Sequence, residues 1–184
     1  FNAAAGKSIS FSAATTNRFN GGTAFTGAGV NRITGGVARV DGAIQSANLE
    51  LSGAFPPDIE GTYTLTGNLN WIAGTLNGSG TVTVPAGSVI TLGGTASKSI
   101  KGPTVNNVGS FVFGGTGGFY LYSGAFNNQA GGIFDIQNNA EIRDFDGGTD
   151  PVFSNAGTLR KAVATGTTAF TGITLNNSGV LDIR

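Results

Sequence analysis

The fold is decided by a short recurring stretch, VNNVGSFVF at residues 105–113. It starts with an apolar residue, passes through two amides and a glycine, and ends in a strand-like run. Related stretches are VPAGSVITL at 84–92, FNNQAGGIFDI at 126–136, FSNAGTLRK at 153–161 and LNNSGVLDI at 175–183. Their first residues are separated by steps of 21, 21, 27 and 22 residues. A nearly constant step of this kind indicates a repeat architecture.

A repeat of roughly 22 residues has room for three strands of four or five residues and three turns. Such coils stack at about 4.8 Å through backbone hydrogen bonds. The sequence therefore predicts an all-β fold, a single-stranded parallel β-helix (β-solenoid) of about eight coils of roughly 22 residues. A β-sandwich is the competing architecture, because it also uses short strands and tight turns. It would not require a fixed spacing between apolar residue, Asn and Gly.

The domain prediction is one β-solenoid over residues 1–184. Residues 61–184 are expected to form regular repeats, with a loop insertion near 138–151 that accounts for the step of 27 residues. Residues 1–60 are expected to form less regular coils. Fainter copies of the apolar anchor lie there and just beyond, at Tyr63, Val40, Phe19 and Phe1.

Stacking places equivalent side chains above one another, and the anchors are followed by an Asn at a fixed offset. These residues are Asn107, Asn128, Asn155 and Asn177. Stacked amides can donate hydrogen bonds from coil to coil, so a structural asparagine ladder is predicted. The glycine that follows is expected to supply the positive φ of a turn. Within strands the period is two, so Phe119 and Leu121 should point inward and Tyr120 and Tyr122 outward.

Composition narrows the function classes. Charged residues make up 11% of the chain and acids and bases balance at ten each, so no global field favours nucleic acid. The chain has no Cys and no His, which removes thiolate nucleophiles, Cys-based metal sites and the commonest general base. No apolar run approaches the ~18 residues of a membrane span, so membrane insertion is not expected.

The segments at 153–161 and 175–181 resemble repeats of large bacterial surface proteins. These are the filamentous-haemagglutinin-like and autotransporter-passenger-like adhesins. The resemblance covers residues 61–184 well and 1–60 loosely. It implies a right-handed coil and a secreted or surface-exposed protein, and it implies architecture more than activity.

The insertion offers a candidate metal site. Asp144, Asp146 and Asp150 lie within it, and carboxylate oxygens are ligands that Ca²⁺ accepts. The spacing matches neither the EF-hand loop nor the glycine-rich nonapeptide repeat that binds calcium. Asp and Gly are also ordinary turn formers, so calcium stays one of two readings.

The same acids admit a polysaccharide lyase or glycosidase, because paired carboxylates cleave glycosidic bonds. The basic residues Arg143, Arg160 and Lys161 could then neutralise a uronate. The acids cluster in one loop, however, and the favoured reading is that the protein is not an enzyme.

Outward aromatic residues suggest glycan binding, since Tyr and Trp combine a flat apolar face with a polar group. Tyr120, Tyr122 and Trp71 are the candidates; the alternative for Trp71 is a place in the core.

The leading functional prediction is a non-catalytic, structural or adhesive segment of an extracellular, cell-surface or fibre-forming bacterial protein. The expected partner is the protein itself, through end-to-end stacking of copies or continuation into a longer solenoid, because open solenoid ends expose strand edges. Surface glycans are the other expected partner. Polysaccharide binding or degradation is the alternative function.

Overall fold

The structure, a computed structural model, describes residues 1–12, 15–54 and 56–184. Within these ranges the chain forms 22 strands joined by turns and loops, with no helix. The strands are β1 (Ser8–Phe11), β2 (Thr16–Asn20), β3 (Ala24–Phe25), β4 (Val30–Ile33), β5 (Val37–Leu51), β6 (Asp58–Glu60), β7 (Tyr63–Trp71), β8 (Gly74–Asn77), β9 (Thr81–Val84), β10 (Val89–Leu92), β11 (Lys98–Lys101), β12 (Thr104–Asn107), β13 (Ser110–Phe113), β14 (Phe119–Tyr122), β15 (Ala125–Asn128), β16 (Ile133–Ile136), β17 (Ile142–Arg143), β18 (Val152–Asn155), β19 (Thr158–Lys161), β20 (Phe170–Thr171), β21 (Thr174–Asn177) and β22 (Val180–Ile183).

The described strands pair only in parallel, each with the strand one coil before or after it. They stack in about 8 turns of about 21 residues, which confirms the β-solenoid and excludes the β-sandwich. No helix of the described part is long and apolar enough to cross a membrane.

Each coil has three faces. In the regular part the first face holds β9, β12, β15, β18 and β21, and the second face holds β10, β13, β16, β19 and β22. The third face holds β8, β11, β14, β17 and β20. Upstream the corners are less sharp, because β5 runs without interruption through parts of all three faces.

Inward side chains form continuous apolar columns inside the coil. Phe126 stacks on Phe153 with ring centroids 4.9 Å apart, and Phe111 lies parallel to Phe134 at 6.1 Å. Alternation along β14 is as predicted, with Phe119 and Leu121 fully buried and the two tyrosines half-buried. Because stacked strands are in register, every second residue of each strand points inward, and these residues together form the core.

The anchor column differs from the predicted one at its upstream end. Phe126 pairs with Val105, and Val105 pairs with Val82, so Val82 is the anchor of its coil. The predicted anchor, Val84, instead lies opposite Asn107. Phe19 and Val40 pair with each other on the third face, so they do not continue this column. The prediction of Val84, Phe19 and Val40 as anchors was wrong. Inward apolar residues occur on all three faces, and spacing alone does not show on which face such a residue lies.

Gly131, after Asn128, has the predicted positive φ (88°), but the three other glycines after the ladder residues act by a different mechanism. Gly109, Gly157 and Gly179 do not have positive φ. A Cβ at Gly157 would lie 2.2 Å from the carbonyl oxygen of Gly132, and one at Gly179 would lie 2.2 Å from that of Gly157. Each glycine therefore permits the close approach of two coils at one corner, which any side chain would prevent.

The longest departure from the repeat on the third face follows β17. That strand has two residues, and the chain then runs through a loop at 144–151, exposed from 145 to 150, before β18 begins at Val152. The loop lies beside the corner at which β14 turns toward β15. It brings residues that have no counterpart in other coils next to the outer surface of the third face.

Candidate functional site

The four predicted ladder residues form a chain of side-chain hydrogen bonds along the inside of the first face. The Nδ2 group of Asn107 donates to Oδ1 of Asn128 at 2.8 Å, and that of Asn128 donates to Oδ1 of Asn155 at 2.7 Å. Asn155 donates in turn to Asn177 at 2.6 Å. Each amide also donates to a backbone carbonyl at the start of the next second-face strand, at Ile133, Thr158 and Val180. The ladder thus fixes coil register and the turn between the two faces.

The ladder has a defined beginning and an exposed end. Oδ1 of Asn107 is buried without a hydrogen-bond partner, because Val84 stands at the equivalent position one coil earlier. At the other end Asn177 is exposed, and its Nδ2 group donates to the carbonyl of Gly179 in its own coil. The ladder therefore runs in one direction, with an unused acceptor upstream and donors facing the open edge.

An aromatic cluster lies on the outer surface of the third face. It consists of Tyr120, Tyr122, Phe145 and Arg143. The rings of Tyr120 and Tyr122 are 6.4 Å apart and nearly perpendicular, and Phe145 lies 5.1 Å from Tyr120. The guanidinium of Arg143 lies 4.3 Å from the centre of the Phe145 ring. Phe145 is 55% exposed, so part of its ring surface is open to solvent.

Phe145 was missed by sequence reasoning, since the repeat gives no information about a loop that has no equivalent in other coils. The signal available was a single Phe between two aspartates in an otherwise polar insertion. Trp71 was wrong as a glycan-binding residue. It is completely buried in the core, where its indole Nε1 donates to the carbonyl of Gly74 at 3.2 Å.

The loop aspartates organise the loop itself. Oδ1 of Asp144 accepts the backbone N–H of Asp146 at 3.1 Å, and Oδ1 of Asp146 accepts that of Gly148 at 3.2 Å. Asp144, Asp146 and Asp150 do not come together as a metal site, and no group of three His, Cys, Asp or Glu residues does so in the described ranges. Calcium binding stays a prediction without a ligand cluster behind it, and turn formation is the role that the geometry gives to Asp144 and Asp146.

A groove separates this loop from the corner after β14. Its volume is about 260 Å³, and its walls include Gly102, Ser123 and Asp150. Ser123 follows Tyr122 directly and has a φ of 50°, which a residue with a side chain rarely adopts. Among the described residues it is the only one besides glycine with positive φ, and such strain is concentrated at functional sites in proteins.

The three basic residues assigned to a uronate do not meet. Arg143 lies on the third face and approaches Glu141, with 3.3 Å between Nη1 and Oε2. Arg160 lies on the second face in a two-bonded ion pair with Asp135 at 2.8–2.9 Å. This pair keeps the pKa of Asp135 below its usual range through the hydrogen bonds from Arg160. Lys161 is buried and donates to the carbonyl of Asn138. The predicted cationic group is therefore wrong.

A column of polar and charged side chains runs along the third face and leads to the aromatic cluster. Strand register stacks these residues one above another, coil by coil. In order they are Arg18, Arg39, Glu60, Asn77, Lys101 and Tyr122. Arg39 pairs with Glu60 at 3.0 Å. Sequence reasoning missed this column, because the upstream register was doubtful and these residues do not repeat in type.

Lys98 is an unexpected interior residue. It occupies an inward position on the third face between Gly74 and Phe119 in register, and its side chain has no exposed surface. Its Nζ atom has no hydrogen-bond partner among the described residues. Burial lowers the pKa of Lys98 from 10.5 to about 8, because the charged form loses its hydration.

Comparison of the chain with protein-family models, with curated proteins and with solved structures finds no match.

Proposed function

We propose that this chain is a non-catalytic structural segment of an extracellular bacterial protein, a surface adhesin or a fibre, in which β-solenoid coils continue end to end. Within this proposal it is similar to the filamentous-haemagglutinin-like and autotransporter-like passengers, and its coil is right-handed like theirs. The observation that carries the proposal is the parallel stack of coils, in register from β8 onward, with its asparagine ladder. Such a stack can be lengthened coil by coil without changing its cross-section.

The register of the last coil supports this proposal. Leu181 and Ile183 pair with Leu159 and Lys161 and continue the inward columns of the second face. Asn155 donates to Asn177 in the same way that Asn128 donates to Asn155. A further coil in the same register would cover Leu181 and Ile183 and accept a hydrogen bond from Asn177.

Sedimentation and negative-stain imaging at rising concentration test stacking of copies. We expect particles that lengthen along one axis. The double variant Leu181→Lys/Ile183→Lys should keep them short, because two charges at the edge oppose burial. The control Thr91→Lys places a charge at an outward position of β10, a strand that is paired on both sides within the stack, and it should lengthen like the unchanged chain. Short particles at every concentration would contradict stacking of copies.

Polysaccharide recognition is the second candidate function, and the exposed aromatic cluster favours it. Rings presented on a flat outer face offer apolar surface to sugar rings, while neighbouring polar groups bind hydroxyls. Incubation with neutral and acidic polysaccharides separates binding from degradation. Release of reducing sugar or of unsaturated-sugar absorbance would show degradation, and retention on an immobilised polysaccharide without release would show binding.

A further inference from the structure

We propose that the aromatic cluster and the adjoining groove bind an uncharged polysaccharide, with hexopyranose rings packed against Tyr120 and Tyr122. The inference rests on the second candidate function and specifies the chemistry of its ligand. It depends on three observations: the arrangement of the rings, the charges around them, and the strained corner beside them.

The two tyrosine rings meet at a corner, because their planes are nearly perpendicular. Tyr120 and Tyr122 are two residues apart on β14, so both project from the outer face, and their planes are 84° apart. Phe145 closes the third side at 50° to Tyr120. A ring face is electron-rich and attracts the slightly positive C–H groups of a pyranose. One sugar ring in this corner would meet a face of one tyrosine and the edge of the other.

The charges disfavour an anionic ligand. Arg143 is already engaged by Phe145, by Glu141 and by the carbonyl of Asp144. Burial raises the pKa of Tyr122, and so do neighbouring Tyr120, Asp146 and Asp144, whereas a hydrogen bond with Ser99 lowers it by less. The Tyr122 hydroxyl therefore stays protonated and can donate to sugar oxygens. A uronate would meet two carboxylates here and only one unengaged cation in the adjoining register, Lys101.

The loop aspartates can accept hydrogen bonds from the hydroxyl groups of a neutral sugar. Asp144 and Asp146 each use one oxygen to accept a backbone N–H and retain a second oxygen as an acceptor for hydroxyls. The groove is lined by the strained Ser123, which directly follows Tyr122, and by Asp150 of the loop. A chain of sugars stacked at the tyrosines can continue into this groove, whereas a single sugar would leave it unfilled.

Isothermal titration with cellohexaose, mannohexaose and tetragalacturonate tests the proposal on the intact chain. We expect one of the neutral hexaoses to bind, and Tyr122→Ala to weaken that binding by at least about tenfold. Tyr122→Phe should keep most of the affinity, because it retains the ring face. Thr91→Ala, an outward change on the second face, should have no effect. Circular dichroism of each variant checks that the coil is intact.

Three results would overturn the proposal. Binding of tetragalacturonate in preference to both neutral hexaoses would refute the charge argument and leave polysaccharide recognition in place. Binding unaffected by Tyr122→Ala would move the ligand to another surface. An absence of binding by any of the three probes at millimolar concentration would contradict this proposal and the second candidate function together.

Discussion

The side-chain amide of Asn128 donates a hydrogen bond of 2.7 Å to Asn155, although the two residues are 27 positions apart in the sequence. Neighbouring ladder steps span 21 and 22 positions with the same geometry. The extra residues lie in the longer turn at 129–132 and in the loop at 144–151, outside the stacked strands. The ladder thus keeps its spacing while the coil varies in length, which is how an insertion can carry a binding site without disturbing the fold.

The first prediction concerns the centre of the ladder. Asn128→Ala should destabilise the protein by about 3 kcal/mol, because it removes four hydrogen bonds of that side chain and leaves Oδ1 of Asn155 without a donor. Asn127→Ala is the matched control. The Asn127 side chain points outward and donates to Oδ1 of Asn106 at 2.9 Å. The loss of stability in this variant should therefore be below about 1 kcal/mol. Urea unfolding measures both, and equal losses would contradict the role assigned to the ladder.

Spacing alone was sufficient to predict the ladder, because Asn is polar, recurs at one offset and has a clear reason to stack. It was insufficient for the anchors. A buried Val on one face is indistinguishable in sequence from a buried Val on another, so Val84 was placed in the column that Val82 occupies. The face on which a strand lies depends on the turns that precede the strand, and the lengths of those turns vary along this chain.

The second prediction uses this correction. Val84→Asn should be tolerated within about 1 kcal/mol, since its amide can donate to the unpaired Oδ1 of Asn107 and so offset the loss of apolar burial. Val105→Asn makes the same chemical change in the apolar column and should cost about 3 kcal/mol or more. Thermal unfolding compares the two variants. A similar cost for both would show that the upstream acceptor is not available to a new ladder residue.

The third prediction separates close approach from backbone conformation at glycine. Gly157→Ala should cost about 3 kcal/mol or more, because its Cβ would lie 2.2 Å from the Gly132 carbonyl oxygen. Gly114→Ala is the control: its φ is ordinary and its nearest neighbour would be 3.7 Å away. That change should be neutral or stabilising by up to about 1 kcal/mol. Chemical denaturation of the two variants gives the comparison, and a mild effect at Gly157 would refute the steric argument.

The site was less predictable than the fold. Alternation placed Tyr120 and Tyr122 outward, but Phe145 could be found only from three-dimensional proximity. Lys98 had a local signal, because Ile100 two residues later points inward and the period of a strand is two. The general preference of lysine for solvent outweighed that signal. A buried lysine and an exposed phenylalanine are therefore the kinds of residue that a repeat pattern predicts least well.

The fourth prediction follows from that lysine. The pKa of Lys98 falls to about 8 in the folded chain and is 10.5 when unfolded, so the folded state carries a penalty at neutral pH. The penalty is present in full below pH 8, corresponds to about 3 kcal/mol and is relieved as the pH rises from about 8 toward 10.5. Tyr63 has the opposite effect on stability above about pH 10. Burial raises its pKa in the folded chain, so the hydroxyl ionises more readily in the unfolded chain and a rise in pH favours unfolding.

The usable window for this test therefore lies between about pH 7 and pH 9.5, below the ionisation of unfolded tyrosine. Unfolding free energy should increase across that window in the unchanged chain. Lys98→Met fills the same space without a charge, so it should be more stable at pH 7 and should lose the increase. Lys101→Met is the matched control, because Lys101 is exposed on the same strand and should retain the full pH dependence. A stability that rises equally with pH in Lys98→Met would place the titrating group elsewhere.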